Sequence, residues 1–138
     1  EVMEKNLWTS LNKIQKTEST WNCMRIESST INGIPDVHAC IKGKSFWLEL
    51  KANDDKKLGL SKYQILWQLD YLKVGGNVFN LVFALSQREL KLIKLVPSLY
   101  SFCSGNVPEV ERFEILGAKK YNQENLRLLI KLASDSCH

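Results

Sequence analysis

Hydrophobic residues recur every three or four positions at the start of the chain. Met3, Leu7, Leu11 and Ile14 form one stripe with Trp8 beside it, which predicts an amphipathic helix over residues 2–16. A polar break follows, and Trp21, Cys23 and Ile26 lie in a short segment, 21–27, that reads as a strand. Residues 28–33 (Ser-Ser-Thr-Ile-Asn-Gly) carry turn chemistry. Residues 34–41 and 45–52 then read as two strands joined by a tight turn at Lys42-Gly43-Lys44. In the second of these, Phe46, Leu48 and Leu50 alternate with Trp47, Glu49 and Lys51, so Glu49 and Lys51 share a face.

After a charged loop over 53–59, a helix is predicted over 61–73, with Ser61 as N-cap and Gly75-Gly76 as its stop. Residues 78–85 are apolar except for Asn80, the mark of a central strand buried on both faces. A further strand is expected over 89–96, hairpinned onto it. Residues 97–108 read as loop with a short helical turn near 99–103, and 112–116 as an edge strand. Residues 122–133 carry Leu126, Leu129, Ile130 and Ala133 at helical spacing and are expected to pack back on the sheet.

The 138 residues are 44% hydrophobic and 25% charged, which predicts one globular domain and excludes disordered and fibrous classes. No apolar run approaches the roughly 18 residues of a membrane span. No basic-then-apolar leader is visible, so an intracellular, soluble protein with no membrane partner is expected. Cys23, Cys40, Cys103 and Cys137 have neither CxxC spacing nor a His partner, so they read as reduced, mostly buried thiols. The net charge of +4 permits a phosphate-bearing partner without requiring one.

Chemistry concentrates in Gly33-Ile-Pro-Asp36, twelve residues, then Glu49-Leu-Lys51. A hairpin turning at Lys42-Gly43 sets Asp36 nearly opposite Glu49. Like charges so placed repel, and a divalent cation with oxygen ligands would relieve them. Lys51 stands about 7 Å further along the same face, where an ammonium can orient water or stabilise charge on a phosphate. Read without a metal, Asp36 caps the Pro35 turn, and Glu49 and Lys51 form a solvated, salt-bridged row.

The pattern resembles the signature of the PD-(D/E)xK nuclease superfamily. Leu60-Ser61-Lys-Tyr-Gln64, opening a helix that ends in Gly75-Gly76, resembles its VRR-Nuc-like, phage endonuclease or Holliday junction resolvase-like branch. The similarity spans residues 3–85 and includes the order helix, three strands, helix, strand. It implies an α/β fold with a restriction-endonuclease-like core, a mixed central sheet flanked by helices. Asp36, Glu49 and the Leu50 carbonyl would hold Mg²⁺ (Mn²⁺ substituting), and Lys51 would position the attacking water. Glu4 in the first helix would add a carboxylate, with Glu18 as its competitor. Gln64 would lean toward Lys51 or the scissile phosphate. Arg25, Ser28, Ser29, Thr30, Lys42, Lys44, Lys56, Lys57 and Lys62 are candidate phosphate contacts, and His38 a candidate water contact near the metal.

The expected activity is Mg²⁺-dependent hydrolysis of DNA phosphodiesters. The forms open to it are a phage-type endonuclease, a Holliday junction resolvase and a homing-type site-specific endonuclease. Cutting both strands implies two sites, hence a homodimer or higher oligomer; the sequence does not identify its surface, the hydrophobic C-terminal helix being one candidate. A noncatalytic nucleic-acid-binding module and a partner-binding domain are the non-enzyme alternatives.

Overall fold

The computed structural model describes residues 2–54, 58–100 and 112–138. The helical turn expected near 99–103 lies largely outside them, as do Cys103 and the candidate phosphate contacts Lys56 and Lys57. The elements run α1 (Val2–Gln15), β1 (Trp21–Arg25), β2 (Val37–Ile41), β3 (Lys44–Ala52), α2 (Lys62–Lys73), β4 (Val78–Ala84), β5 (Glu89–Leu95), β6 (Phe113–Lys120) and α3 (Gln123–Asp135), with a short 3₁₀ turn at Pro97–Leu99. The six strands form one mixed sheet in chain order, β1-β2-β3-β4-β5-β6. β3 and β4 pair in parallel, with α2 carrying the chain back along the sheet between them, and the other neighbouring strands pair antiparallel.

Strand alternation sorts side chains into two layers. Phe46, Leu48 and Leu50 of β3 and Phe79, Leu81 and Phe83 of β4 face one side, where Leu7, Leu11 and Ile14 of α1 and Leu126, Leu129 and Ile130 of α3 cover them. On the other side Val82, Ile93 and Leu95 meet Ile65 and Leu69 of α2, joined by Leu58 and Leu60 from the preceding loop. The result is a three-layer α/β sandwich, with α1 and α3 on one face and α2 on the other. Every residue of β4 is buried, as its apolar run predicts.

Three expectations need correction. The edge strand predicted over 112–116 extends to Lys120; a bulge opposite Leu92/Ile93 breaks its alternation, so the periodicity of its second half is lost to inspection. The apolar stripe of α3 is spent inside the chain against α1 and the sheet, and α3 lies so close that a Cβ on Gly117 would come within 2.9 Å of Leu132. It is not a free oligomer surface. Of the described cysteines, which are free thiols, only Cys23 is buried; burial, with the Cys40 thiol adding to it, pushes it up to about 11. No described helix is long and apolar enough to cross a membrane.

Candidate active site

The β2–β3 hairpin turns through Lys42 (φ 50°) and Gly43 (φ 81°), both left-handed, as a two-residue type I′ connection requires. That turn fixes the register Val37↔Leu48 through Ile41↔Lys44. One step beyond the last pair, Asp36 comes opposite Glu49. The ladder between the two strands stops there, and the Asp36 side chain continues it: Oδ2 accepts the Leu50 N–H at 2.9 Å. On a strand the N–H and C=O of one residue point to the same neighbour, so the Leu50 carbonyl also projects toward the Asp36 edge.

Glu49 is 2% exposed, so it does not sit in a solvated row. It lies under α2, where Gln64 Nε2 donates to Oε2 at 2.9 Å and Lys51 Nζ stands 3.8 Å from the same oxygen. The other oxygen, Oε1, is buried with no hydrogen-bond donor. Burial, reinforced by the Asp36 charge and opposed by Lys51, pushes the Glu49 carboxyl up to about 8, with the Glu4 charge also raising it. The two carboxyls are thus close enough for each charge to raise the cost of the other. With neither protonated, a buried acceptor is left facing like charge, which a cation with oxygen ligands would satisfy.

Gln64 is held from both ends. It is the N3 residue of α2: Ser61 Oγ accepts the Gln64 N–H at 3.2 Å, and Gln64 Oε1 accepts the Ser61 N–H at 2.9 Å, a reciprocal capping box. Its carbonyl is committed to the cap, so only its NH₂ group is left to reach outward. An ammonium cannot accept that bond and a carboxylate can. Gln64 therefore bonds Glu49, and not Lys51 as its position suggested. The Ser-x-x-Gln spacing was the available signal. Gly33, missed as a site-building residue, has φ +82°, and a Cβ there would lie 2.2 Å from the Tyr63 carbonyl oxygen. The loop leading to Asp36 thus rests on the first turn of α2, bringing both halves of the site together.

Glu4, in the first turn of α1, lines a cavity of about 180 Å³ with Lys5, Trp8, Arg25, Asp36 and Leu50. Its charge is felt at Glu49, whereas Glu18 pairs with Arg127 at 3.9 Å; Glu4 is the first-helix acid nearest the site. Among the described residues, no group of three or more His, Cys, Asp or Glu side chains is arranged to hold a metal ion. The acidic centre is the Asp36–Glu49 pair, and Glu4 lines the cavity that adjoins it.

On the other side of Asp36, a groove of about 730 Å³ is lined by Arg25, Ser28, Ser29, Ile31, Tyr63 and Gln64 among others. Arg25, which borders both spaces, is 3.9 Å from Glu27. Thr30 lies in the loop along the groove, its N–H donating to Ser28 Oγ at 3.4 Å. Lys62, the first residue of α2, is exposed and places Nζ 5.3 Å from the Tyr63 ring centre. The structure separates Lys42 and Lys44 from this group. They sit at the hairpin turn, and Lys44 is five residues up β3 from Glu49, about 17 Å by strand rise. His38 packs edge-on against Trp47, centroids 4.8 Å apart, and Trp47 against Trp67 of α2 at 5.4 Å.

A carboxylate pair, a lysine and a helix-borne amide thus converge at the carboxyl end of β3 and the amino end of α2. No protein-family model and no curated protein matches the chain, so a functional reading rests on this geometry and the sequence pattern that encodes it.

Proposed function

We propose that the chain is a Mg²⁺-dependent DNA endonuclease of the PD-(D/E)xK type, built on a restriction-endonuclease-like core, α1-β1-β2-β3-α2-β4. The observation that carries this reading is Glu49: a buried carboxylate with one orphaned oxygen, beside a second carboxylate and a lysine. Folding places such a group at a penalty, and a bound cation removes it. Asp36, Glu49 and the Leu50 carbonyl would hold the ion, a set of hard oxygen donors suited to Mg²⁺ or Mn²⁺. When bound, the ion supplies Lewis-acid neutralisation of the charge that builds on the phosphate.

The chain's own groups do the rest. Lys51, only 18% exposed at its side chain, brings its Nζ to the space beside Glu49. There it holds the attacking water by its oxygen and stabilises a nonbridging phosphate oxygen as charge develops. Attack is in line: the water oxygen bonds to phosphorus as its proton passes to solvent, the bond from phosphorus to the 3′ oxygen breaks, and the departing 3′ oxygen takes a proton from solvent. Gln64 fixes the Glu49 carboxylate through Oε2 and leaves Oε1 without a donor. Arg25 and Ser29 border the groove along which a strand would run, Lys62 follows the groove-lining Ser61 in the chain, and the net charge of +4 favours a polyanion. One such site lies among the described residues, so cutting both strands calls for a homodimer or higher oligomer.

The test compares supercoiled, linear and four-way-junction DNA in Mg²⁺ and in EDTA, with wild type, Glu49→Ala and Lys51→Ala. Cleavage by wild type in Mg²⁺ alone is expected, with losses of about 10²-fold or more in each variant. A wild type that cuts no substrate, or variants that cut equally well, would refute the proposal. Preference among the substrates reports whether the enzyme is a resolvase or a duplex cutter.

A further inference from the structure

Beneath Gln64, one helical turn along the same face of α2, Gln68 is 1% exposed and Asn80 of β4 is fully buried. Their amides bond reciprocally: Gln68 Nε2 donates to Asn80 Oδ1 at 2.8 Å, and Asn80 Nδ2 donates to Gln68 Oε1 at 2.9 Å. Asn80 is also the β4 residue in register with Glu49. Two glutamines four residues apart on α2 therefore meet two in-register residues on neighbouring strands, Gln64 on Glu49 and Gln68 on Asn80.

Stability alone gives no reason for amides at this depth. The rest of β4 is apolar, and an apolar pair of similar shape would serve the fold as well as a satisfied polar pair. The difference is in what each permits. Apolar contacts such as Ile65 and Leu69 against the sheet tolerate small slides and rotations of a helix, whereas a two-bond amide pair has one register. A one-residue slip of α2 is a 1.5 Å shift and a turn of about 100°, enough to remove Gln64 from Glu49.

We infer that Gln68 and Asn80 form a positioning pair that locks α2 in the register at which Gln64 holds the Glu49 carboxylate ready for a divalent cation. The inference rests on the metal-site reading above and extends it to residues that touch neither ion nor substrate. Outer partners that orient a metal's ligands change its affinity by about 10–100-fold when removed.

The experiment replaces both amides by near-isosteric apolar residues, Gln68→Met with Asn80→Leu. It measures urea denaturation in EDTA and Mg²⁺ affinity by titration calorimetry in the absence of DNA. Ile65→Val, which trims the same helix face, is the control. The double variant is expected to unfold at the wild-type urea midpoint or above, yet to bind Mg²⁺ about 10–100-fold more weakly, while the control keeps its Mg²⁺ affinity. A double variant that is equally stable and binds Mg²⁺ as wild type does overturns the inference and leaves the nuclease reading standing. A wild type that binds no Mg²⁺ overturns both. Should the double variant not fold, Gln68→Met alone is read the same way, since Asn80 Nδ2 retains the Ile93 carbonyl at 3.5 Å. If neither folds, the pair serves stability and the inference fails.

Discussion

Replacing Glu49 by Gln should make the metal-free protein more stable and remove most of the pH dependence of that stability. The Glu49 carboxyl is raised from 4.5 to about 8, chiefly by burial and then by the Asp36 charge. Below pH 4.5 the group is protonated in folded and unfolded chains alike, and nothing is lost. Between about 4.5 and 8 the folded chain keeps a proton the unfolded chain has released, so stability falls as pH rises. Above 8 the whole penalty is present. At about 1.4 kcal/mol per pKa unit, the full swing is on the order of 5 kcal/mol, comparable with the total stability of a small domain. Gln suits the pocket: its carbonyl accepts from Gln64 Nε2, and its amide brings no charge beside Asp36. Urea denaturation in EDTA at pH 5, 6.5, 8 and 9 measures the difference. Wild type and E49Q should nearly coincide at pH 5 and diverge by several kcal/mol at pH 9. Adding Mg²⁺ at pH 8 should stabilise wild type by about 2.7 kcal/mol at 100 times Kd and leave E49Q unmoved. Parallel pH profiles for the two proteins would show that Glu49 is not the strained, buried acid described above.

Gly33→Ala should destabilise the protein by about 2 kcal/mol or more, because the residue has a positive φ and its Cβ would strike the Tyr63 carbonyl; the urea midpoint reports it. Ser61→Ala removes half of the capping box and should lower stability by about 1 kcal/mol, with a smaller loss of cleavage, since Gln64 Oε1 keeps the Ser61 backbone N–H. Arg25→Ala should weaken DNA binding and reduce its salt slope by about 1, while Lys44→Ala, at the far end of the hairpin, should change neither; fluorescence anisotropy over a salt series separates them.

Much of this architecture is visible in the pattern of residues. Periodicity marks the three helices and the buried central strand, and the Lys42-Gly43 turn alone sets the register that brings Asp36 to Glu49. Alternation puts Glu49 and Lys51 on one face. It does not tell whether that face is wet, because the covering helix arrives from 62–73 through a parallel crossover that no local signal encodes. Hence the burial of Glu49 and its elevated pKa appear only in the fold. Lys42 and Lys44 show the opposite error: near the motif in sequence, they are carried away from it by the length of an extended strand. Gln64 stands between these cases. Its place in the site was legible, but its hydrogen-bond partner followed from a cap whose second half had to be seen bonded.

The order of the sheet bears on how the molecule folds. Each strand pairs with the one made just before it, and β2–β3 and β4–β5 close through connections of two and four residues, the kind that favours fast folding. The crossover between β3 and β4 is the conspicuous exception, needing a longer loop to close. That same closure brings Gln64 to Glu49 and Trp67 to Trp47. Tryptophan emission during refolding would therefore time the moment at which the acidic centre comes into being.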